Sequence, residues 1–144
     1  MSTDAGFVPG QDVTYKAGAD LSTKQYYAVE LNSSGEVVVA GAGEFFGVLQ
    51  NKPTSGQAAT VRLRGRTKWL TAAVMTPGAY VASDAAGKAA TATKASTDTQ
   101  SGAAADPLVG SIVAGRYVGA SASASGDYAE VELGPLGAIP TTLA

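Results

Sequence analysis

The 144-residue chain contains no histidine and no cysteine. Without histidine it lacks the side chain that most often serves as general base or metal ligand near neutral pH. Without cysteine it has no thiolate nucleophile, no zinc–thiolate site and no disulfide framework. Large apolar side chains are also scarce: Leu, Ile, Val and Phe together make 28 residues, about 19%, against 28 alanines and 18 glycines. Such scarcity signals disorder only when the net charge is large, and here it is −2. No run of 18 apolar residues occurs, and the opening MSTDAGFVPG has no basic region leading into an apolar stretch, which argues against a membrane span and a secretory signal. The composition describes a folded, thinly cored domain whose stability draws on association with further copies.

The apolar residues that are present fall in short runs between turn signals, the pattern of an all-β chain with at most short helical turns. Strands are expected over Val13 to Lys16, Gln25 to Leu31, Val37 to Val39, Phe45 to Gln50, Thr60 to Leu70, Ala79 to Ser83, Leu108 to Val113 and Tyr128 to Leu133. In the clearest of them, TVRLRGRTKWL, period two sends Val61, Leu63, Thr67 and Trp69 to one face and Arg62, Arg64, Arg66 and Lys68 to the other, with Gly65 marking a bend or bulge. Residues 1–11, where Pro9 follows Phe7 and Val8, read as an extended arm ahead of a single β domain over 12–135, and residues 136–144 as a surface tail.

Within that domain a unit is duplicated. Tyr27-Ala28-Val29 and the Gly35 turn recur as Tyr80-Val81-Ala82 and the Gly87 turn; Phe46-Gly47-Val48-Leu49 matches Val109-Gly110-Ser111-Ile112; SGQAATVRLRG from Ser55 matches SGDYAEVELG from Ser125. The offset grows along the chain, so the small-residue stretches at about 88–106 and 119–126 read as insertions into the second of two repeats, about 16–70 and 71–135. Neither repeat can bury an apolar face alone, and closure of the two into a small barrel or sandwich is the expected fold. The charged strand bears Arg62 and Arg64 in the first copy but Glu130 and Glu132 in the second. Placed on opposite sides, these strands would make the molecule electrically polar and suit it to head-to-tail pairing.

No segment carries a recognisable cofactor, metal or catalytic signature. Gly41-Ala42-Gly43-Glu44-Phe45-Phe46-Gly47 has the wrong spacing for a dinucleotide loop and no helical pattern after it. Asp12, Asp20, Asp84 and Asp127 stand at turns, where aspartate bends the chain. Four cations near Trp69, Tyr26 and Tyr27 could form a nucleic-acid surface, but the pI is about 5.0 and no aromatic alternates among the cations on their own face. Contact with an acidic protein surface accounts for the row equally well.

The segment KAGADLSTKQYYAVELNSSGEVVVAGAGEFFGVLQNKPTSGQAATVRLRG, then TPGAYVASDAAGKAATA and the closing GDYAEVELGP, resembles the capsid decoration, or cement, proteins of tailed bacteriophages, over about Lys16 to Pro135. The resemblance implies a non-enzymatic virion protein, made in the host cytoplasm, that sits on the outer surface of the mature head and clamps neighbouring major capsid subunits. It also implies a homo-oligomer, a trimer being favoured, with no cofactor, membrane or nucleic acid. The candidate docking or inter-subunit residues are Thr3, Phe7, Val8 and Pro9 in the arm, the row Arg62, Arg64, Arg66 and Lys68, Glu130 and Glu132, and Trp69, assigned to the core or a subunit interface. The alternatives are another phage structural part, such as a head fibre or tail component, and a nucleic-acid-binding β-barrel.

Overall fold

Side-chain oxygens and glycines at the turns divide this chain into short strands. Asn32 Oδ1 accepts the N–H groups of Ser34 and Glu36, both at 2.9 Å, and Asp84 Oδ1 accepts those of Ala86 and Lys88, both at 2.8 Å. Each turn is completed by a left-handed residue, Gly35 at φ 76° and Gly87 at φ 79°, a conformation glycine adopts without steric cost. The computed structural model describes residues 11–92 and 112–138. Among these are nine strands and no helix: β1 (Gln11–Lys16), β2 (Ala28–Leu31), β3 (Val37–Val39), β4 (Gly47–Leu49), β5 (Ala58–Leu70), β6 (Tyr80–Ser83), β7 (Ala89–Thr91), β8 (Ile112–Tyr117) and β9 (Tyr128–Ala138). They form one curled antiparallel sheet in the order β3-β2-β4-β5-β9-β8-β6-β7, with β1 paired to β5 off that path.

The pairing register recurs. β2 meets β4 through Ala28↔Val48 and Val29↔Gly47, as β6 meets β8 through Tyr80↔Arg116 and Val81↔Gly115. β4 meets β5 through Val48↔Arg62 and Leu49↔Val61, as β8 meets β9 through Arg116↔Glu132 and Tyr117↔Val131. Most telling, β1 meets β5 through Asp12↔Arg62 and Val13↔Val61, as β5 itself meets β9 through Arg66↔Glu132 and Thr67↔Val131. β5 therefore belongs to both units: its first half closes one and its second half opens the next. Gly65, at φ 92°, stands at the joint, where pairing passes from Gln11↔Arg64 to Gly65↔Leu133. Each unit curls until the residue after its first strand bridges its outermost strand, Ala17 to Val37 and Thr71 to Ala89. The Gly18 N–H donates to Val37 at 2.8 Å and the Ala72 N–H to Ala89 at 2.9 Å.

Alternate residues of each strand fill the inside of the curl. Leu21, Val29, Val37, Leu49 and Val61 do so in the first unit, and Met75, Val81, Ala89, Tyr117 and Val131 at the matching positions of the second. Where the second unit places a polar atom inside, it supplies a partner. Thr71 Oγ1 lies 2.9 and 3.0 Å from the Ala124 and Asp127 carbonyls, and the Tyr117 hydroxyl donates to Ser121 at 2.7 Å. The units meet asymmetrically. The back of the first sheet, with Ala28, Ala40 and Val48, packs with Trp69 and the tilted ring of Phe45, whose centroid lies 5.5 Å from that of Trp69. The Gly87 carbonyl accepts from both Ala28 N–H at 2.7 Å and Trp69 Nε1 at 3.0 Å, so the β6–β7 turn of the second unit sits at the edge of the first sheet.

Several boundaries differ from those read in the sequence. The strand expected over Gln25 to Leu31 is confined to Ala28–Leu31, because the preceding residues form a turn with Tyr26 in the left-handed region. The one expected over Phe45 to Gln50 is confined to Gly47–Leu49. Gln11, assigned to the arm, already pairs with β5. Ala89–Thr91, inside the expected insertion, is a strand because it supplies the β6 partner that β3 supplies to β2. Of the strand expected over Leu108 to Val113, Ile112 and Val113 belong to β8, which runs on to Tyr117, and residues 108–111 lie outside the described residues. Gly47 is consequently matched by Gly115 and not by Gly110. Both sit so close to the neighbouring strand that a Cβ would fall 2.6 Å from the Arg62 carbonyl oxygen or 2.1 Å from that of Glu132. In the 119–126 stretch, Ser123 is buried and exchanges hydrogen bonds with Met75, its N–H donating at 3.0 Å and its hydroxyl oxygen accepting at 3.1 Å.

Gly35 and Gly87 test the asymmetric contact, since both adopt positive φ but only Gly87 is enclosed. A Cβ there would lie 2.7 Å from Val39 Cγ1 and 2.9 Å from the Ala28 carbonyl oxygen, whereas at Gly35 nothing lies within 4 Å. Gly35→Ala is expected to cost about 1–2 kcal/mol from backbone strain, and Gly87→Ala about 1–3 kcal/mol more from overlap. Equal shifts of the two urea midpoints would contradict the packing. A second expectation concerns Glu36, whose carboxyl is held below its ordinary pKa, chiefly by the Asn32 amide at 3.3 Å and further by Lys16 at 3.3 Å. Its stabilising contribution is present above the unfolded pKa and is lost as pH falls through the lowered folded value. NMR titration of the Glu36 side chain should report a midpoint below that of the Glu36 carboxyl in the urea-unfolded chain.

Candidate docking surface

Along β5 the alternation continues through Gly65: Ala59, Val61, Gly65, Thr67 and Trp69 are buried, while Arg64, Arg66 and Lys68 are exposed and Arg62 is half-buried. The four cations thus share the outer face, flanked by β1 and β9. The register sets Asp12 opposite Arg62, Glu132 opposite Arg66 and Glu130 opposite Lys68. Arg62 grips Asp12 with two nitrogens, Nε to Oδ1 at 2.8 Å and Nη2 to Oδ2 at 3.1 Å, while Nη1 donates to the Arg66 carbonyl at 2.9 Å across the joint. Donation to the Asp12 carboxylate pushes the Arg62 pKa further above its ordinary value. Arg66 Nε lies 3.5 Å from Glu132 Oε1.

These two ion pairs occupy the same place in the two units with the signs exchanged: carboxylate then guanidinium in the first, guanidinium then carboxylate in the second. The charged strands therefore do not lie on opposite sides of the molecule. Because β5 and β9 are hydrogen-bonded neighbours, Glu130 and Glu132 stand beside the cations; the condition for an electrically polar molecule is not met, and one face carries a mixed ladder. Among the described residues, Arg64 and Lys68 form no ion pair within 4.0 Å, and Arg64 pairs with the uncharged Gln11.

Next to the ladder is an aromatic cluster. The Tyr26 ring meets exposed Tyr128 edge-on with centroids 5.5 Å apart, Lys68 Nζ lies 6.0 Å from the Tyr26 ring, and Lys24 Nζ lies 4.8 Å over Tyr27. Tyr26 has φ 66°, in the left-handed region that glycine occupies at the matching position, Gly78, with φ 83°. A tyrosine there costs about 1–2 kcal/mol. Its N–H donates to Leu49 at 2.7 Å and its carbonyl accepts from Leu70 at 3.0 Å, which holds it in place. Alternation in QYYAVEL concealed this, as did the match of Tyr27 with Tyr80, which the register shifts by one residue to Ala28; the signal that could have revealed it is the 52-residue offset of the Gly35 and Gly87 turns, which sets Tyr26 against Gly78.

The remaining candidates separate cleanly. Trp69 is 0% exposed and hydrogen-bonded to Gly87, so it joins the two units and presents no outer surface. Phe45 covers it, and Phe46 packs edge-on against Tyr15 at 5.3 Å. Thr3, Phe7, Val8 and Pro9 lie outside the described residues. No group of three carboxylates suited to a metal ion occurs among the described residues. A cleft of about 560 Å³ lies between the Gly78 turn, the end of β8 and β9; Gly78, Gly115, Tyr117, Val118 and Gly134 are among its walls, and Arg116 and Glu132 are its charged lining.

The two ion pairs should differ in worth. Side-chain exposures are 28% and 35% for Arg62 and Asp12 but 58% and 50% for Arg66 and Glu132, and solvent screens the second pair more. Double-mutant cycles to alanine should give coupling of about 0.5–1 kcal/mol for the first and below about 0.5 kcal/mol for the second. The reverse order would contradict the bidentate geometry.

Comparison with known proteins places this β scaffold in a family. A family model described as phage cement protein matches residues 7–133. No curated protein sequence matches significantly. Among solved structures, the crystal structure of the head fibre gp8.5 N base of bacteriophage phi29 is similar in fold, with a TM-score of 0.56 at 13% identity, over 88% of this chain and 95% of that one. With the match spanning both units and the strand they share, the chain belongs to the phage cement protein family and is a structural protein of the capsid exterior.

Proposed function

We propose that this protein acts without catalysis, binding the outside of the mature phage head and bridging neighbouring major capsid subunits as a homo-oligomer, with a trimer favoured. The observation that carries this reading is the family match over residues 7–133, which takes in both β units and three of the four arm candidates, Phe7, Val8 and Pro9. The mixed face of β1, β5 and β9 supports it further. Arg64 and Lys68 are its cations without ion pairs among the described residues, and beside them lie Tyr128 and Tyr26. Such a surface suits an acidic, partly aromatic protein patch better than a phosphate backbone, because Arg62 and Arg66 are already met by carboxylates.

The arm continues directly into β1, whose only strand partner among the described residues is β5. An extended segment entering there can add main-chain hydrogen bonds to a capsid strand, while Phe7 supplies an apolar anchor. Reinforcement is then mass action: a protein that binds the expanded lattice and not the precursor lowers the free energy of the former. At a free concentration one hundred times Kd this amounts to about 2.7 kcal/mol per site. An oligomer engaging several subunits makes the later contacts intramolecular and raises avidity.

The likeness to a head fibre base favours a second reading, that the domain roots a larger appendage on the head. Reconstruction of the mature particle separates the two readings: density confined to the shell surface fits a cement protein, and a projecting stalk fits a fibre base.

Co-sedimentation with expanded heads tests the docking assignment. Deleting residues 1–10 should reduce bound protein at least tenfold, and Arg64→Glu with Lys68→Glu should slow association and weaken its dependence on salt. Full binding by the deletion variant would remove the arm from the interface, and an unchanged salt dependence would remove the cations.

A further inference from the structure

The way the two units pack within one chain leaves two matching surfaces unused. The turn of the second unit, at Gly87, is buried at the edge of the first sheet, against the Ala28 carbonyl, Val39 and Tyr27. The corresponding turn of the first unit, Asn32–Gly35, has the same side-chain-to-backbone hydrogen bonds and the same positive φ, yet Gly35 is exposed and nothing lies within 4 Å of its Cβ position. In the second unit the place corresponding to the one that receives Gly87 has Tyr80 for Ala28 and Thr91 for Val39, both exposed, Tyr80 at 44%, and beside them exposed Arg116, the counterpart of Val48, lies over the Tyr80 ring. A contact that joins turn to edge, and not edge to edge, is heterologous: it leaves one unsatisfied half at each end and repeats until it closes into a ring.

We infer that a second copy of this chain seats its Asn32–Gly35 turn on the Tyr80–Arg116 face, continuing between chains the contact that Gly87 makes within one. This specifies the surface of the proposed homo-oligomer and rests on that oligomeric state, not on capsid binding. The change of chemistry between the two faces fits the change of circumstance. Ala28 and Val48 are covered as soon as the chain folds, so they are small and apolar. Tyr80 and Arg116 must remain soluble in a free chain and still bind, which suits an amphipathic pair of the kind that dominates protein interfaces. Arg116 is already ordered for this role: its Nε and Nη2 donate to the Gly78 carbonyl at 3.3 and 3.2 Å, and its guanidinium lies 5.2 Å over the Tyr80 ring. The cleft beside it has glycine walls at Gly78, Gly115 and Gly134, which let a narrow polar turn approach the backbone.

The absence of cysteine makes cross-linking a direct test. In free solution, an equimolar mixture of Ser34→Cys and Tyr80→Cys chains should give a two-chain product with a short bis-maleimide, and each variant alone should give at least tenfold less. Arg116→Glu should raise the dissociation constant of the wild-type oligomer at least tenfold by light scattering, with its urea midpoint showing that the variant is folded. A monomeric wild-type chain at about 100 μM overturns the inference. So does an oligomer in which Ser34→Cys alone cross-links as well as the mixture, or one indifferent to Arg116→Glu. Because no capsid is present, these failures leave the docking reading standing, and a failure of co-sedimentation leaves this one standing.

Discussion

The constraint on which this fold depends is that one strand must serve two units. β5 closes the first curled sheet with Ala58–Arg64 and opens the second with Gly65–Leu70, and the change of partner from β1 to β9 takes place at a single left-handed glycine. A residue with a Cβ resists that conformation, and a strand that merely ended there would leave two thin cores without a mechanical link. Each interior is built from medium-sized side chains such as Val29, Leu49 and Val61. Burying one of these contributes about 1.5–3 kcal/mol, little against the entropy of ordering a unit. Sharing the strand makes folding of one unit a template for the other.

The same sharing explains why the second unit is turned onto the first. β5 carries Trp69 to the junction, where its indole and the Ala28 amide converge on one carbonyl, that of Gly87. A large aromatic side chain buried between the units supplies the apolar area that alanine-rich sheets lack. It also fixes orientation through its N–H. A docking role for Trp69 and a structural one are incompatible, because the burial that makes it useful to the fold removes it from the surface.

On the outer face the arrangement is electrostatic and shallow. Duplication placed a pair of facing residues at the same positions twice, and the two copies satisfy it with opposite order of charge, Asp12 with Arg62 and Arg66 with Glu132. The result is a nearly self-neutralised ladder from which Arg64 and Lys68 project beside Tyr26 and Tyr128. Recognition of another protein by such a face draws on orientation and rate more than on strong individual contacts.

Period-two alternation and turn chemistry were enough to read an all-β, duplicated chain from the sequence, and the order of residues along β5 already assigned its two faces. These are local properties: alternation and left-handed glycines act over a few residues, so they survive without knowledge of partners. Which strands adjoin is not local. Adjacency of β5 and β9 set Arg66 against Glu132 where the sequence left the relative placement of the two charged strands open, and the match of Gly47 with Gly115 emerged only from hydrogen-bond register. Tyr26 took a conformation that its neighbours in sequence did not announce, because the demand for a left-handed residue comes from the strands it connects. The asymmetry between a buried Gly87 and an exposed Gly35, in turns of like sequence and like geometry, was decided by tertiary packing alone, since only there does one unit meet the edge of the other.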